Sequence, residues 1–201
     1  LFLDEFPEFD KRVIESLRQP LEDRVVSVSR AKGSAHFPAD IIVVAALNPC
    51  PCGNWGSENK TCICTPQALA RYARKLSGPI VDRIDMWIEV ASLDHALLSS
   101  APSGEPSDII RTSVLSAREK AQERFTGTHM RKNSDMSVKY IDAFIPLSEE
   151  TRAILNTSAA KLNLSARAYH RVIKLARTIA DIENSALVET PHILEALQYR
   201  P

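Results

Sequence analysis

The sequence predicts an α/β core followed by a small helical domain. Short apolar runs that are typical of strands alternate with helical patterns as far as residue 98, and only helical patterns follow residue 107. The segment between them is rich in Ser, Pro and Gly, as linkers are. Because strands that alternate with helices favour a parallel sheet, we expect a core at 1–98, a linker at 99–107 and a helical lid at 108–201.

Composition and charge exclude several classes of protein. Apolar residues make up 44% of the chain and charged residues 25%, which is typical of a globular protein. Lys and Arg together number 25, as do Asp and Glu, so any nucleic-acid contact needs a local basic patch. The longest apolar run, 41–47, is too short to cross a bilayer, and no secretory leader is visible, so we expect a cytoplasmic protein. Since residue 1 is Leu within an apolar run, we also expect a natural segment to precede it.

Five short segments are predicted to be strands. Leu1–Leu3 and Ile41–Leu47 are continuously apolar, as strands covered on both faces are. Val25–Val28 and Ala35–Phe37 flank a basic segment and predict a hairpin. Met86–Val90 is a further strand candidate.

Two helices are predicted within the core. Asp10 can cap a helix that runs to about Gln19 and is stopped by Pro20. Thr65 can cap a second helix that has Pro in its first position and runs to Leu76.

The lid pattern is helical except at 126–146, where no element is predicted. Its predicted helices cover 108–124, 148–155, 165–183 and, after the cap Thr190, 191–199. The apolar face expected for the helix capped by Ser165 consists of Ala168, Val172, Leu175, Ala176, Ile179 and Ile182.

Two carboxylates and an amide follow predicted strands. Asp4 and Glu5 follow the first predicted strand as a pair of carboxylates. In phosphoryl transfer, the first carboxylate of such a pair can hold the Mg²⁺ shell and the second can activate water. Asn48 ends the next buried strand, from where its amide could reach a phosphate. The alternatives are solvated carboxylates at a strand end and a turn-forming Asn before Pro.

Two arginines are candidates for contacts with phosphate. Arg83 lies between a helix end and a strand candidate. Guanidinium groups from a neighbouring subunit can stabilise a transferring phosphoryl group, and Arg83 is a candidate for this role. The alternative is a salt bridge to Asp82 or Asp85. Arg167 falls in the first turn of its helix, where the helix dipole disfavours a cation unless an anion is near. It shares a basic face with Arg171 and Lys174, and this face could equally be solvated.

Four cysteines form two close pairs, Cys50 with Cys52 and Cys62 with Cys64. Four thiolates can surround a metal ion with tetrahedral geometry. In a cytosolic protein, a metal site is a better interpretation of these cysteines than disulfides. We therefore favour structural Zn²⁺ over four free thiols. One residue separates the two cysteines of each pair, whereas two intervening residues are commoner in zinc sites.

The predicted hairpin is basic around its tip. Its candidate contacts with a nucleic-acid backbone are Arg24, Arg30, Lys32 and His36. Surface hairpins are also often basic without such a role.

In their order, these motifs resemble the magnesium-chelatase-like AAA+ family, and within it the ComM branch, over essentially the whole chain. Leu1–Glu5 looks like a Walker B strand, and Ala45–Gly53 looks like sensor 1 continuing into the family's cysteine loop. Leu76–Asp85 resembles the arginine-finger segment, and Leu164–Asp181 resembles the sensor 2 helix. The resemblance also implies that the hairpin faces the pore of a ring.

This resemblance implies a partial AAA+ P-loop NTPase core followed by an all-α lid, in a protein that binds ATP and Mg²⁺. Asp4, Glu5, Asn48 and Arg83 would be catalytic and Arg167 would bind nucleotide. The intact protein would be a hexameric motor acting on branched or single-stranded DNA, as in branch migration during natural transformation. The alternatives are a magnesium-chelatase motor subunit and a non-hydrolytic, zinc-stabilised nucleic-acid adaptor.

The sequence departs from the family in one respect. It contains no glycine-rich phosphate loop with its Lys and Ser/Thr, the Walker A motif. We therefore expect the chain alone to be inactive as an ATPase. Because the strand that accompanies this loop lies within the family's sheet, we also expect an incomplete core with an exposed apolar edge.

Overall fold

The computed structural model describes residues 1–31, 33–57, 60–90 and 104–201. They form two compact units, Leu1–Ile84 and Asp85–Pro201. Most of the predicted linker lies outside the described residues, and its last residue, Ser107, already begins a helix. None of the helices described is both long enough and apolar enough to cross a bilayer.

A short parallel pair of strands lies in the first unit. Strand β1 (Phe2–Leu3) pairs with β4 (Val44–Ala45), and backbone bonds from Val44 to Leu1 and from Ala46 to Leu3, each 2.9 Å, extend the ladder. Strands were predicted here, but the expected burial on both faces is wrong. Phe2 is 65% exposed and Ile42 is 82% exposed, because the described residues place little against these side chains.

The predicted hairpin is confirmed and is longer than expected. Strand β2 (Val25–Arg30) pairs antiparallel with β3 (Gly33–Pro38), so that Arg30 lies opposite Gly33 next to the turn. Gly33 has a φ of 141°, which a residue with a side chain rarely adopts.

The helices of the first unit are short: α1 (Lys11–Ser16), α2 (Arg18–Asp23), α3 (Pro66–Ala73) and α4 (Gly78–Val81). Asp10 caps α1 by accepting a 2.8 Å bond from the Arg12 amide, and Thr65 caps α3, as predicted. Pro20 does not stop a helix, because it falls in the first turn of α2, where the N–H groups have no partner within the helix. The strand predicted at Met86–Val90 is wrong, because these residues have no regular structure.

A small apolar core holds the first unit together. Phe6, Ile14 and Ile80 are buried there, and partly buried Leu3, Leu17, Ala45, Leu76 and Ile84 pack against them. Phe6 follows β1 and Ala45 lies in β4, so this core supports the end of the parallel pair.

The second unit is helical, as the sequence predicts. Its helices are α5 (Ser107–Arg124), α6 (Val138–Phe144), α7 (Glu149–Lys161), α8 (Ala166–Ile182) and α9 (Thr190–Gln198). Ser148 and Ser165 cap α7 and α8. Thr190 is not the cap of α9, because Glu189 occupies that position and the Glu189 amide donates to Nδ1 of His192 at 2.8 Å.

The segment without a predicted element contributes to the main core of this unit. A 3₁₀ helix (Asn133–Asp135) and α6 bring Met136, Ile141 and Ile145 into the core. The face predicted for α8 is correct in large part, but Ile182 is exposed, and the face also includes buried Ile173 and Ala180. Local periodicity could not define residues 126–146 because their apolar side chains are ordered by contacts with α8.

A buried ion network lies within this apolar core. Arg177 and Asp181 of α8 are 3% and 1% exposed and are joined by a 3.0 Å contact. Both oxygens of the Asp181 carboxylate accept from Arg124, and one also accepts from the Asn133 amide at 2.9 Å. Arg177 donates to the carbonyls of Ser185 and Ala186, so the network joins the carboxyl-terminal part of α8 to α5, to the 3₁₀ helix and to the loop that follows α8.

Candidate functional site

The structure brings Asp4, Glu5 and Asn48 to one edge of the parallel pair. Asp4 and Glu5 follow β1 directly, and Asn48 follows β4 by three residues. Because the strands are parallel, their carboxyl ends meet at the same edge. The Phe6 amide donates to the Ala46 carbonyl at 2.9 Å, which fixes the chain after Glu5 beside the chain before Asn48. All three polar side chains are exposed to solvent.

Glu5 has an unusual backbone conformation. Its φ of 49° and ψ of 43° are left-handed, which is uncommon for a residue other than glycine. The Glu5 amide donates to the Asp4 carboxylate at 3.0 Å, and the Glu8 amide donates to the Glu5 carbonyl at 2.7 Å. The chain therefore turns sharply out of β1 and presents two consecutive carboxylates at the strand end. Backbone strain of this kind is concentrated at functional sites.

Arg83 follows α4, and its side chain is 13% exposed. Its Nε lies 3.1 Å from a Glu22 carboxylate oxygen, and its Nη1 donates to the Pro79 carbonyl at 2.7 Å. The sequence suggested Asp82 or Asp85 as an acidic partner, whereas the structure places Glu22 of α2 there. Glu22 was missed because it lies 61 residues away along the chain.

Arg167 lies in the second unit, in the first turn of α8, and is exposed. Ser165 caps this helix by accepting a 3.2 Å bond from the Ala168 amide, so the predicted position of Arg167 is confirmed. The basic face that Arg167 shares with Arg171 and Lys174 is not simply solvated. Arg171 forms an ion pair with Asp85, and the Arg171 side chain is mostly buried.

The four cysteines converge. The Sγ atom of Cys50 lies 3.4 Å from that of Cys52 and 3.7 Å from that of Cys62, and Cys52 and Cys62 are 3.6 Å apart. All four sulfurs, including that of Cys64, lie within 4.8 Å of one another, and all four are free thiols. A tetrahedral ion with metal–sulfur bonds of about 2.3 Å has sulfurs about 3.8 Å apart, so Cys50, Cys52 and Cys62 are close to the spacing that a metal requires and Cys64 lies near enough to be the fourth ligand.

Backbone N–H groups support charge on these sulfurs. The Trp55 amide donates to the Cys50 sulfur at 3.3 Å, and Cys50 is fully buried. Backbone hydrogen bonds from Asn54 and then Ile63 lower the pKa of Cys52 to about 6. Burial raises the pKa of Cys64 to about 12. A bound cation would favour the thiolate form at every position, since thiolate is the ligand form of cysteine.

The basic residues of the hairpin do not form one cluster. Arg30 is exposed at the end of β2 beside the turn, whereas Arg24 caps α2 at the other end of that strand and lies 3.5 Å from Asp40. His36 lies on β3, where its Nδ1 is 2.9 Å from the Ser27 hydroxyl. Lys32 lies outside the described residues. Among the described candidates, Arg30 is therefore the cation at the tip.

One contact at the edge of the sheet was missed in the sequence. The Tyr72 hydroxyl donates to the Asn48 backbone carbonyl at 2.9 Å. Tyr72 lies two helical turns after the cap Thr65, but no local pattern indicates that this face of α3 meets the end of β4.

Two family models match the chain. Residues 1–98 match the model described as magnesium chelatase, subunit ChlI, and residues 104–200 match the model described as magnesium chelatase, subunit ChlI C-terminal. The chain belongs to the magnesium-chelatase-like family of AAA+ proteins, as its motifs indicated.

Curated relatives extend over the whole chain. It is 42% identical over 202 residues to competence protein ComM of Haemophilus influenzae, a match that covers 100% of the chain and 38% of the relative. It is 37% identical over 202 residues to uncharacterized protein YifB of Escherichia coli, with the same coverage. It is 33% identical over 200 residues to uncharacterized protein Rv2897c of Mycobacterium tuberculosis, covering 100% of the chain and 39% of that relative. The chain thus spans about two fifths of the length of the curated relatives it matches.

Proposed function

We propose that the full-length protein is an ATP-driven ring motor that acts on DNA. The observation that carries the proposal is the convergence of Asp4, Glu5 and Asn48 at the carboxyl ends of two paired parallel strands. In this proposal, Asp4 holds the Mg²⁺ shell, Glu5 activates the attacking water, and Asn48 contacts the γ-phosphate of ATP. The phosphate loop is not among these 201 residues, so we expect this chain by itself to be inactive.

The proposal also gives roles to two arginines. Arg83 acts on the nucleotide of a neighbouring subunit, and Arg167 acts from the lid of its own subunit, in a ring that is a hexamer. The ion pair with Glu22 holds the Arg83 side chain against its own unit. Glu22 and the Pro79 carbonyl engage Nε and Nη1 of Arg83, and in this proposal the guanidinium group contacts the phosphate of the neighbouring subunit.

The cysteine cluster fits a structural zinc ion. Four sulfur donors in a closed set at tetrahedral spacing are typical of structural rather than catalytic zinc, which keeps one position open. Cys50 lies five residues after β4, and Cys64 directly precedes the cap of α3. Zinc bound to these residues would join the end of the strand to the start of the helix.

The metal content of the purified chain tests this assignment. We expect about one zinc ion per chain, and Cys50→Ser should lose most of it because the set would then offer three thiolates. Elemental analysis measures the zinc, and titration with a thiol reagent counts the free thiols. Thr61→Ser, a change beside Cys62, should keep the metal. Metal-free protein with four reactive thiols would contradict the assignment.

The action on DNA is tested by comparing ATP turnover with and without branched DNA on a full-length protein that contains this chain and a phosphate loop. We expect DNA to increase turnover. Arg30→Ala at the hairpin tip should weaken DNA binding about tenfold and leave turnover without DNA unchanged, because a contact with a charged phosphate would be lost. Arg12→Ala removes an exposed arginine outside the hairpin and should change neither quantity.

Other outcomes would support different functions. Tight DNA binding without any turnover would indicate a non-hydrolytic adaptor. A magnesium-chelatase motor is the second candidate, because both matching family models carry that description. It would be indicated by stimulation of a porphyrin-metalating complex together with no response to DNA.

A further inference from the structure

We infer that Tyr72 is a positioning residue that fixes Asn48 for contact with the γ-phosphate. The inference rests on the proposed ATPase function, in which Asn48 makes that contact. Its basis is the 2.9 Å hydrogen bond from the Tyr72 hydroxyl to the Asn48 carbonyl, which joins residues 24 positions apart.

Asn48 needs such support because β4 ends three residues before it. The residue is exposed, and Pro49 after it has no N–H with which to continue a ladder. Tyr72 supplies a donor from another element at this point. A hydrogen bond to the main chain restrains the backbone of Asn48 and therefore the direction in which its amide side chain leaves the chain.

The element that carries Tyr72 is itself tied to the same segment. Asn48 lies two residues before Cys50, and Cys64 lies one residue before Thr65, which caps α3. The sulfurs of both cysteines belong to one cluster. The chain therefore runs from Asn48 to the cluster, from the cluster into α3, and along α3 to Tyr72, whose hydroxyl returns to Asn48. A segment held at both ends in this way has fewer accessible orientations than one held at a single end.

The Tyr72 ring has a contact that does not depend on its hydroxyl, since the Lys75 ammonium lies 5.7 Å from the ring centre. It lines an apolar groove of about 280 Å³ together with Pro7, Leu47, Pro49, Leu69 and Leu76. Burial, followed by the charge of Glu8, raises the pKa of Tyr72, so the hydroxyl remains protonated and able to donate at neutral pH. Phe in this position would keep the ring contacts and remove only the donor.

The test uses Tyr72→Phe in the full-length protein. We expect kcat for ATP to fall about tenfold, while KM for ATP and zinc content stay within twofold, because a misplaced group impairs the reaction more than binding. Tyr199→Phe is the matched control, since it also removes a hydrogen bond donated by a tyrosine hydroxyl, here to the Glu195 carboxylate at 3.3 Å in the second unit. The control should leave kcat unchanged.

Hydrogen exchange supplies a measurement that does not depend on turnover. In Tyr72→Phe, a peptide covering 44–52 should exchange faster, and peptides from β2 and β3 should not change. Unchanged exchange in 44–52, or a fall in kcat accompanied by loss of zinc and of thermal stability, would overturn the inference. If the full-length wild-type protein did not hydrolyse ATP, the proposed function would be refuted. Faster exchange of 44–52 in Tyr72→Phe would then still support the positioning of Asn48 by Tyr72.

Discussion

Replacing Glu5 by Gln should reduce ATP turnover by the full-length protein about 10²- to 10⁴-fold while nucleotide binding is retained. A general base contributes about this much to rate, and Gln keeps the size of the side chain but cannot accept the proton. Asp4, which we assign to the Mg²⁺ shell, is unchanged in this variant. The measurement is steady-state kcat together with the dissociation constant of ATP, in the presence of Mg²⁺.

The control for this experiment is Glu8→Gln. Glu8 belongs to the same turn and is also exposed, but its carboxylate pairs with Lys75 at 2.8 Å. Its replacement should change kcat by less than about threefold, since an exposed ion pair contributes little. If Glu5→Gln kept the same kcat as Glu8→Gln, Glu5 would not be the general base.

Replacing Asp181 by Asn should lower the free energy of unfolding of the second unit by about 3–5 kcal/mol, the usual cost of removing one partner of a buried ion pair. The guanidinium groups of Arg124 and Arg177 both contact this carboxylate, and Arg177 is almost fully buried. An uncharged amide would leave their charges without compensation in an apolar core. Urea denaturation of the chain, followed by circular dichroism because the unit is helical, measures the change.

Asp142→Asn provides the matched comparison. Asp142 is also an acid of the helical unit that pairs with an arginine, Arg152 at 3.1 Å, but its side chain is 80% exposed. Its replacement should cost less than about 1 kcal/mol. Equal effects of the two substitutions would show that the buried network contributes no more than a surface pair.

Features encoded by neighbouring residues could be predicted from the sequence. The caps Asp10, Thr65 and Ser165 depend on a side chain and an amide two or three residues later, and all three are present. The hairpin depends on two strand-forming segments with a short turn between them. The convergence of the cysteines also followed from their spacing, because two close pairs bring four sulfurs together once the intervening loop closes.

Features that depend on distant residues could not be predicted in this way. The contact of Tyr72 with Asn48 and that of Arg83 with Glu22 join elements whose packing is set by the small core of the first unit. Arg177 and Asp181 carried a local signal, because opposite charges four residues apart interrupt the apolar pattern of α8. Their burial could not be inferred without Arg124, which approaches from α5.

The left-handed backbone at Glu5 has a consequence for which amino acids this position can accept. Holding a residue with a β-carbon in that region costs about 1–2 kcal/mol relative to the ordinary right-handed region. Glycine would avoid this cost, so selection for stability alone would favour glycine over glutamate here. In the proposed function the carboxylate accounts for glutamate at this position, and in homologues that have lost the activity we expect this position to drift toward Gly or Asn.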